Sequence, residues 1–165
     1  MNIVLNTLID RVADRVTKQY DIQNDKFMYQ SQENGSSLYH NKNDKLNIDF
    51  CVDKLNFFDA QVMDPRIVTI SPSSNNELHK HAHESIFYII KGSGIIVIGK
   101  DSLPVNTGDI AFVPRWIFHQ SKNVSETEDL VILAITDFGL TSAVLGDYDK
   151  RTRLAENGVD VVAVQ

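Results

Sequence analysis

The stretch His79-Lys80-His81-Ala82-His83, joined much later by His119, holds four of the five histidines of this 165-residue chain. On an extended strand successive side chains point to opposite faces. His79, His81 and His83 therefore share one face, with Lys80 and Ala82 on the other. Three imidazoles on one face make poor core packing, because every buried ring nitrogen needs a partner. They suit a metal, since neutral imidazole is a ligand for zinc, copper, iron and nickel.

The elements that would position these histidines are strands. Ile86-Phe87-Tyr88-Ile89-Ile90 and Ile95-Ile96-Val97-Ile98-Gly99 flank the turn Lys91-Gly92-Ser93-Gly94, two aromatic and β-branched runs around a tight connection. Asn106-Thr107-Gly108-Asp109 is a further turn, followed by Ile110-Ala111-Phe112-Val113 and a strand-ending Pro114. Arg115-Trp116-Ile117-Phe118 then leads into His119. A distant strand adding a histidine to a sheet that already carries two or three is a way for a β-barrel to assemble a mononuclear site.

These residues resemble the two sequence motifs of the cupins. Gly108, Pro114, His119 and Asn123 match the second motif at its spacing, with Trp116 in place of its glycine. The first motif closes at Gly92; counting back places its histidines at His79 and His81, its glutamate at Ser85 and its opening glycine at Ser73. The resemblance spans roughly residues 66 to 137. It implies an all-β fold, the double-stranded β-helix or jelly-roll barrel, with a divalent metal held by His79, His81 and His119. In most of the family a glutamate completes the ligand set, and here Ser85 stands at its position. A three-histidine site is favoured, as in the gentisate dioxygenase branch, which the wording around Gly92-Ser93-Gly94 and Val113 to His119 also resembles. His83 as a fourth ligand, or Glu84 swinging in, are the alternatives; alternation turns Glu84 away from the barrel. His83 is otherwise a neighbour of the metal able to act as a base or donor, or a plain surface imidazole.

Three neutral imidazoles leave coordination positions open, the condition for substrate and O2 to bind together at Fe(II). Fe(II) is the favoured ion, with Zn, Ni or Mn as alternatives. A site lacking the carboxylate is more positive, which favours an anionic, chelating small-molecule substrate. Dioxygenase-type oxidoreductase chemistry on a small organic acid or aromatic is expected. A non-catalytic binding barrel and a metal-dependent isomerase or lyase are the competing readings. Phe87 points inward by parity, and Arg115 and Trp116 flank His119; these three are the candidate substrate-binding residues, although Arg115 also reads as a solvated turn residue.

Length and a 42% hydrophobic content fit one compact domain. A formal charge of −6 argues against nucleic-acid or anionic-membrane partners. No apolar run is long enough to span a bilayer, and no signal-peptide pattern opens the sequence. Cys51, the single cysteine, reads as a small packed side chain, and a reducing cytoplasm is the expected location. Leu5, Leu8, Ile9, Val12 and Val16 follow helical spacing, predicting an N-terminal amphipathic helix. Residues 1–45 are expected to hold that helix and an extended connection packed on the barrel. Residues 46–140 are expected to form the barrel core, and 141–165 a short helix over 149–157 followed by a strand over 159–164. That terminal strand is expected to pair with a neighbour, making the chain a homodimer.

Overall fold

A computed structural model describes residues 36–55, 60, 62–145 and 153–155 of the chain. The expected N-terminal helix and the expected strand over 159–164 lie outside the described residues.

The described residues form two antiparallel sheets. The first contains β1 (Ser36–Asn43), β2 (Ile48–Lys54), β3 (Asp64–Ile70), β5 (Ser85–Lys91), β8 (Ile110–Val113) and β10 (Leu130–Thr136), in the order β1-β2-β3-β10-β5-β8. The second contains β4 (His79–His81), β6 (Ser93–Ile98), β7 (Asp101–Asn106), β9 (His119–Asn123) and β11 (Arg153–Ala155), in the order β11-β4-β9-β6-β7. From β3 onward the chain passes from one sheet to the other at each strand except the β6–β7 hairpin, as in a double-stranded β-helix. The first sheet begins at Ser36, upstream of the boundary expected at Leu46.

Alternation drives the burial. Along β10, Leu130, Ile132 and Ala134 are buried while Val131, Leu133 and Ile135 are half-buried. Along β5, Phe87 and Ile89 turn inward and Ile86, Tyr88 and Ile90 outward. Phe50, Val52, Ile70, Ile89, Ile96, Val113 and Ile132 join in one apolar cluster, and removing such area from water is the main favourable contribution to folding. Gly92, between β5 and β6, has φ +88°, and a Cβ there would lie 2.6 Å from the Asp129 carbonyl oxygen, so the turn requires glycine.

The C-terminal region departs from the sequence reading. Helix α1 spans Phe138–Leu145, ahead of the helix expected over 149–157. Within that expected helix, Arg153–Ala155 form β11 instead, antiparallel to β4. The three-residue β4 would otherwise leave one backbone edge unpaired, and pairing with that edge overrides a weak local helical signal. Among the described residues, no helix is long and apolar enough to cross a membrane.

Candidate metal centre

β4 and β9 are neighbours, with His79 directly opposite His119. This pairing brings together two histidines from one end of the barrel sequence and one from the other. Ring centroids are 4.3 Å apart for His79 and His119, 4.6 Å for His81 and His119, and 5.4 Å for His79 and His81. The atoms the three rings offer all lie within 4.8 Å of one another.

Backbone carbonyls fix which nitrogen each ring offers. Nδ1 of His79 donates to the Glu77 carbonyl, Nδ1 of His81 to the His83 carbonyl and Nδ1 of His119 to the Ile117 carbonyl, each at 2.9 Å. A carbonyl only accepts, so each Nδ1 carries a proton, and Nε2 is the nitrogen left for a ligand bond. Outer hydrogen bonds of this kind orient metal-ligating histidines and raise their basicity. Burial, reinforced by the neighbouring His83, His119 and His79, holds His81 far below the ordinary histidine range, in the neutral form a ligand requires. The donor set therefore fits a divalent ion bound by three imidazoles.

The segment after β4 decides the fate of the remaining candidates. His83 lies beyond the end of the strand, is 3% exposed and stacks on His81 at 3.5 Å between centroids, with planes 10° from parallel. Burial, then the Arg66 charge, push it down to about 3, against an opposing pull from Asp137. Glu84 is exposed and lies 3.6 Å from the Arg115 guanidinium, outside the histidine cluster. Ser85, at the position of the motif glutamate, is 1% exposed and faces the cavity beside the histidines.

Arg115 and Trp116 are not among the residues lining that cavity. Arg115 instead clamps the bend between β4 and β5, donating to the Ala82 carbonyl at 2.9 Å and to the Asp137 carboxylate at 2.5 Å. Asp137 in turn accepts from the Glu84 amide at 2.9 Å. Burial raises the Asp137 carboxyl, but these hydrogen bonds and the Arg115 charge outweigh it and leave it below its ordinary value. Trp116 takes the left-handed conformation that suits the motif glycine, φ +57°, and its amide donates to the His81 carbonyl at 2.8 Å. Its side chain is 41% exposed. What the motif position contributes here is thus a backbone hydrogen bond to a ligand strand.

The cavity, about 60 Å³, is lined by the three histidines, His83, Ser85 and Phe87, and also by Arg66 and Glu77, which the sequence reading had not included. Glu77 is 6% exposed and accepts from Asn41 Nδ2 at 2.7 Å. Strand alternation from His79 and His81 would have placed it on their face. Arg66 donates through Nε to Asp64 Oδ2 at 2.9 Å, and its Nη2 contacts the same oxygen. Its guanidinium also lies over the Phe138 ring, 5.4 Å from the centroid.

Comparison with known proteins agrees with this architecture. The chain is 28% identical over 75 residues to a 1-hydroxy-2-naphthoate 1,2-dioxygenase of Nocardioides sp., a stretch covering 46% of this chain and 19% of that protein. It is 32% identical over 77 residues to an auxin-binding protein of Nicotiana tabacum, covering 41% of each. The chain thus matches less than half the length of these relatives. A cupin-2 domain protein of Rhodospirillum rubrum superposes with a TM-score of 0.61 at 20% identity, covering 82% of this chain and 84% of that one. The cupin domain family matches residues 66–136, the stretch that holds both motifs and all three clustered histidines. With that match, these two facing sheets and this histidine cluster, residues 66–136 are a cupin domain.

Proposed function

We propose that this chain is a metal-dependent dioxygenase-type oxidoreductase that holds Fe(II) through His79, His81 and His119 and acts on a small organic acid or aromatic substrate. The observation that carries this reading is the donor set, three convergent imidazoles with no carboxylate in the cluster among the described residues. The similarity to the naphthoate dioxygenase supports it. When bound, the ion supplies open coordination positions and a redox couple at which an organic acid and O2 can meet.

The chain's own residues provide orientation and exclusion of water. The Glu77, His83 and Ile117 carbonyls hold the three rings in one tautomer. Phe87 supplies an apolar wall, its ring 6.2 Å from that of His119. A cavity of about 60 Å³ is far below the roughly 300–1,000 Å³ of typical small-molecule sites. The buried portion of the substrate is therefore a chelating head group of a few atoms, and any ring it carries lies toward the mouth.

The test is metal content of anaerobically purified protein, followed by oxygen uptake with iron restored against aromatic acids, thiols and 2-oxo acids. Iron near one per chain with substrate-triggered uptake is the expected result. Zinc or nickel without uptake would move the assignment to isomerase or lyase chemistry. Tight ligand binding with no turnover would favour a binding barrel, a reading that the similarity to an auxin-binding protein supports.

A further inference from the structure

Ser85 is nine-tenths buried or more, and its Oγ meets no hydrogen-bond partner among the described residues. Native proteins rarely leave a buried hydroxyl in this state without a use for it. Its surroundings follow from the register. Ser85 sits opposite Thr136 on β10, which sits opposite Asp64 on β3; in the next row Phe87 faces Ala134, which faces Arg66. Ser85 and Arg66 thus flank β10 on the face turned toward the histidines, and both line the cavity. The small side chain of Ala134 between Arg66 and Phe87 leaves room there.

Among the described residues, the charged side chains lining this space are Arg66, bound to Asp64, and Glu77, bound to Asn41. Burial makes a charge left without a counterpart costly there.

We propose that Ser85 Oγ and Arg66 form the seat for a carboxylate, or a like oxygen-donor anion, opposite His79, His81 and His119. This rests on the reading that the cluster binds a divalent ion. The Ser85 hydroxyl donates to the anion, Arg66 supplies compensating charge, and the anion occupies the region that the motif glutamate fills in other members.

The test uses the full chain loaded with Co(II), with formate as the probe, read by the visible spectrum of the bound metal and by calorimetry. Co(II) stoichiometry is measured first. Formate is expected to bind the wild type, and Ser85→Ala and Arg66→Met are each expected to weaken it by about tenfold or more with Co(II) content unchanged. Arg66→Lys keeps the charge and should retain most of the binding, which separates loss of the seat from loss of the fold. Ser85→Glu should hold Co(II) and exclude formate, because its own carboxylate fills the seat. Full Co(II) loading with no formate binding, or with binding indifferent to Ser85→Ala and Arg66→Met, would overturn the seat and leave the metal centre standing. Failure to hold Co(II) at all would overturn both, and it is seen before any formate is added.

Discussion

The imidazole of His83 lies face to face with that of His81, 3.5 Å away and 10° from parallel. An imidazole donates its lone pair in the plane of the ring, with metal–nitrogen distances of about 2.0–2.1 Å. An ion held in the plane of His81 would therefore lie off the plane of His83. In the proposed centre this stacking sets His83 beside the ligands, its main-chain carbonyl steadying His81, and outside the ligand set.

Replacing any one of His79, His81 or His119 by alanine should cost at least about 100-fold in divalent-metal affinity, beyond the effect of a lost outer hydrogen bond. His83→Ala should cost far less, because the His83 carbonyl survives the substitution. Calorimetric titration with Co(II) or Zn(II) checks this. Equal losses from all four would show His83 to be a ligand and the stacked geometry to be irrelevant in the loaded state.

Acid should destabilise the metal-free protein earlier than its carboxylates require. His81 and His83 are held neutral by burial, below the ordinary value of 6.5. Below pH 6.5 the unfolded chain takes up protons that the folded chain refuses, so stability falls with pH and continues to fall toward the folded value of about 3 for His83. Each such histidine contributes up to about 1.4 kcal/mol per pH unit across that window. Asp137, lowered from its ordinary 3.8, adds to the loss only at still lower pH. Urea unfolding from neutral pH down to about pH 5 should show the decline; a flat profile would mean that these rings are hydrated and free to charge.

Asn123→Ala should destabilise the fold by about 2–4 kcal/mol. The side chain is 5% exposed; its Nδ2 reaches the Ile70, Ser71 and Glu128 carbonyls, and its Oδ1 accepts from the Ser125 amide. Truncation strands several buried backbone groups at once. Metal affinity measured at low temperature, where the variant is folded, should stay near that of the wild type. A loss of affinity without a loss of stability would give Asn123 a role at the centre that its contacts do not show.

Trp116→Gly should leave stability unchanged or raise it by up to about 1 kcal/mol. The residue holds φ +57° with a largely exposed side chain, a conformation unfavourable for tryptophan and free for glycine. The gain is offset by the greater entropy of glycine in the unfolded chain. A clear loss in thermal melting would reveal packing by the indole that its exposure hides.

How far the site could be read from the sequence depends on the range of the interaction involved. His79 and His81 declare themselves by alternation, and His119 by its distance from Gly108 and Pro114. Glu77 was equally accessible to alternation, but it precedes the short strand in a polar loop and carries no apolar partner pattern to mark it. The pairing of Ser85 with Thr136 and of Arg66 with Ala134 depends on a register between strands far apart in sequence, which no local pattern encodes. β7 escaped notice for a different reason. It is an edge strand with Pro104 inside it and only Val105 buried, so it lacks the alternating apolar face that announces a strand.

Between β4 and β9 a single residue pair, His79 with His119, is in register. Both members are proposed ligands, so a seam held by one registered pair is also the one an ion would stitch shut. An ion that the folded chain holds and the unfolded chain does not raises the energy of opening by mass action. In the proposed metal-bound state, metal supply also sets how often this seam gapes to proteases, and hence how long each copy of the protein survives.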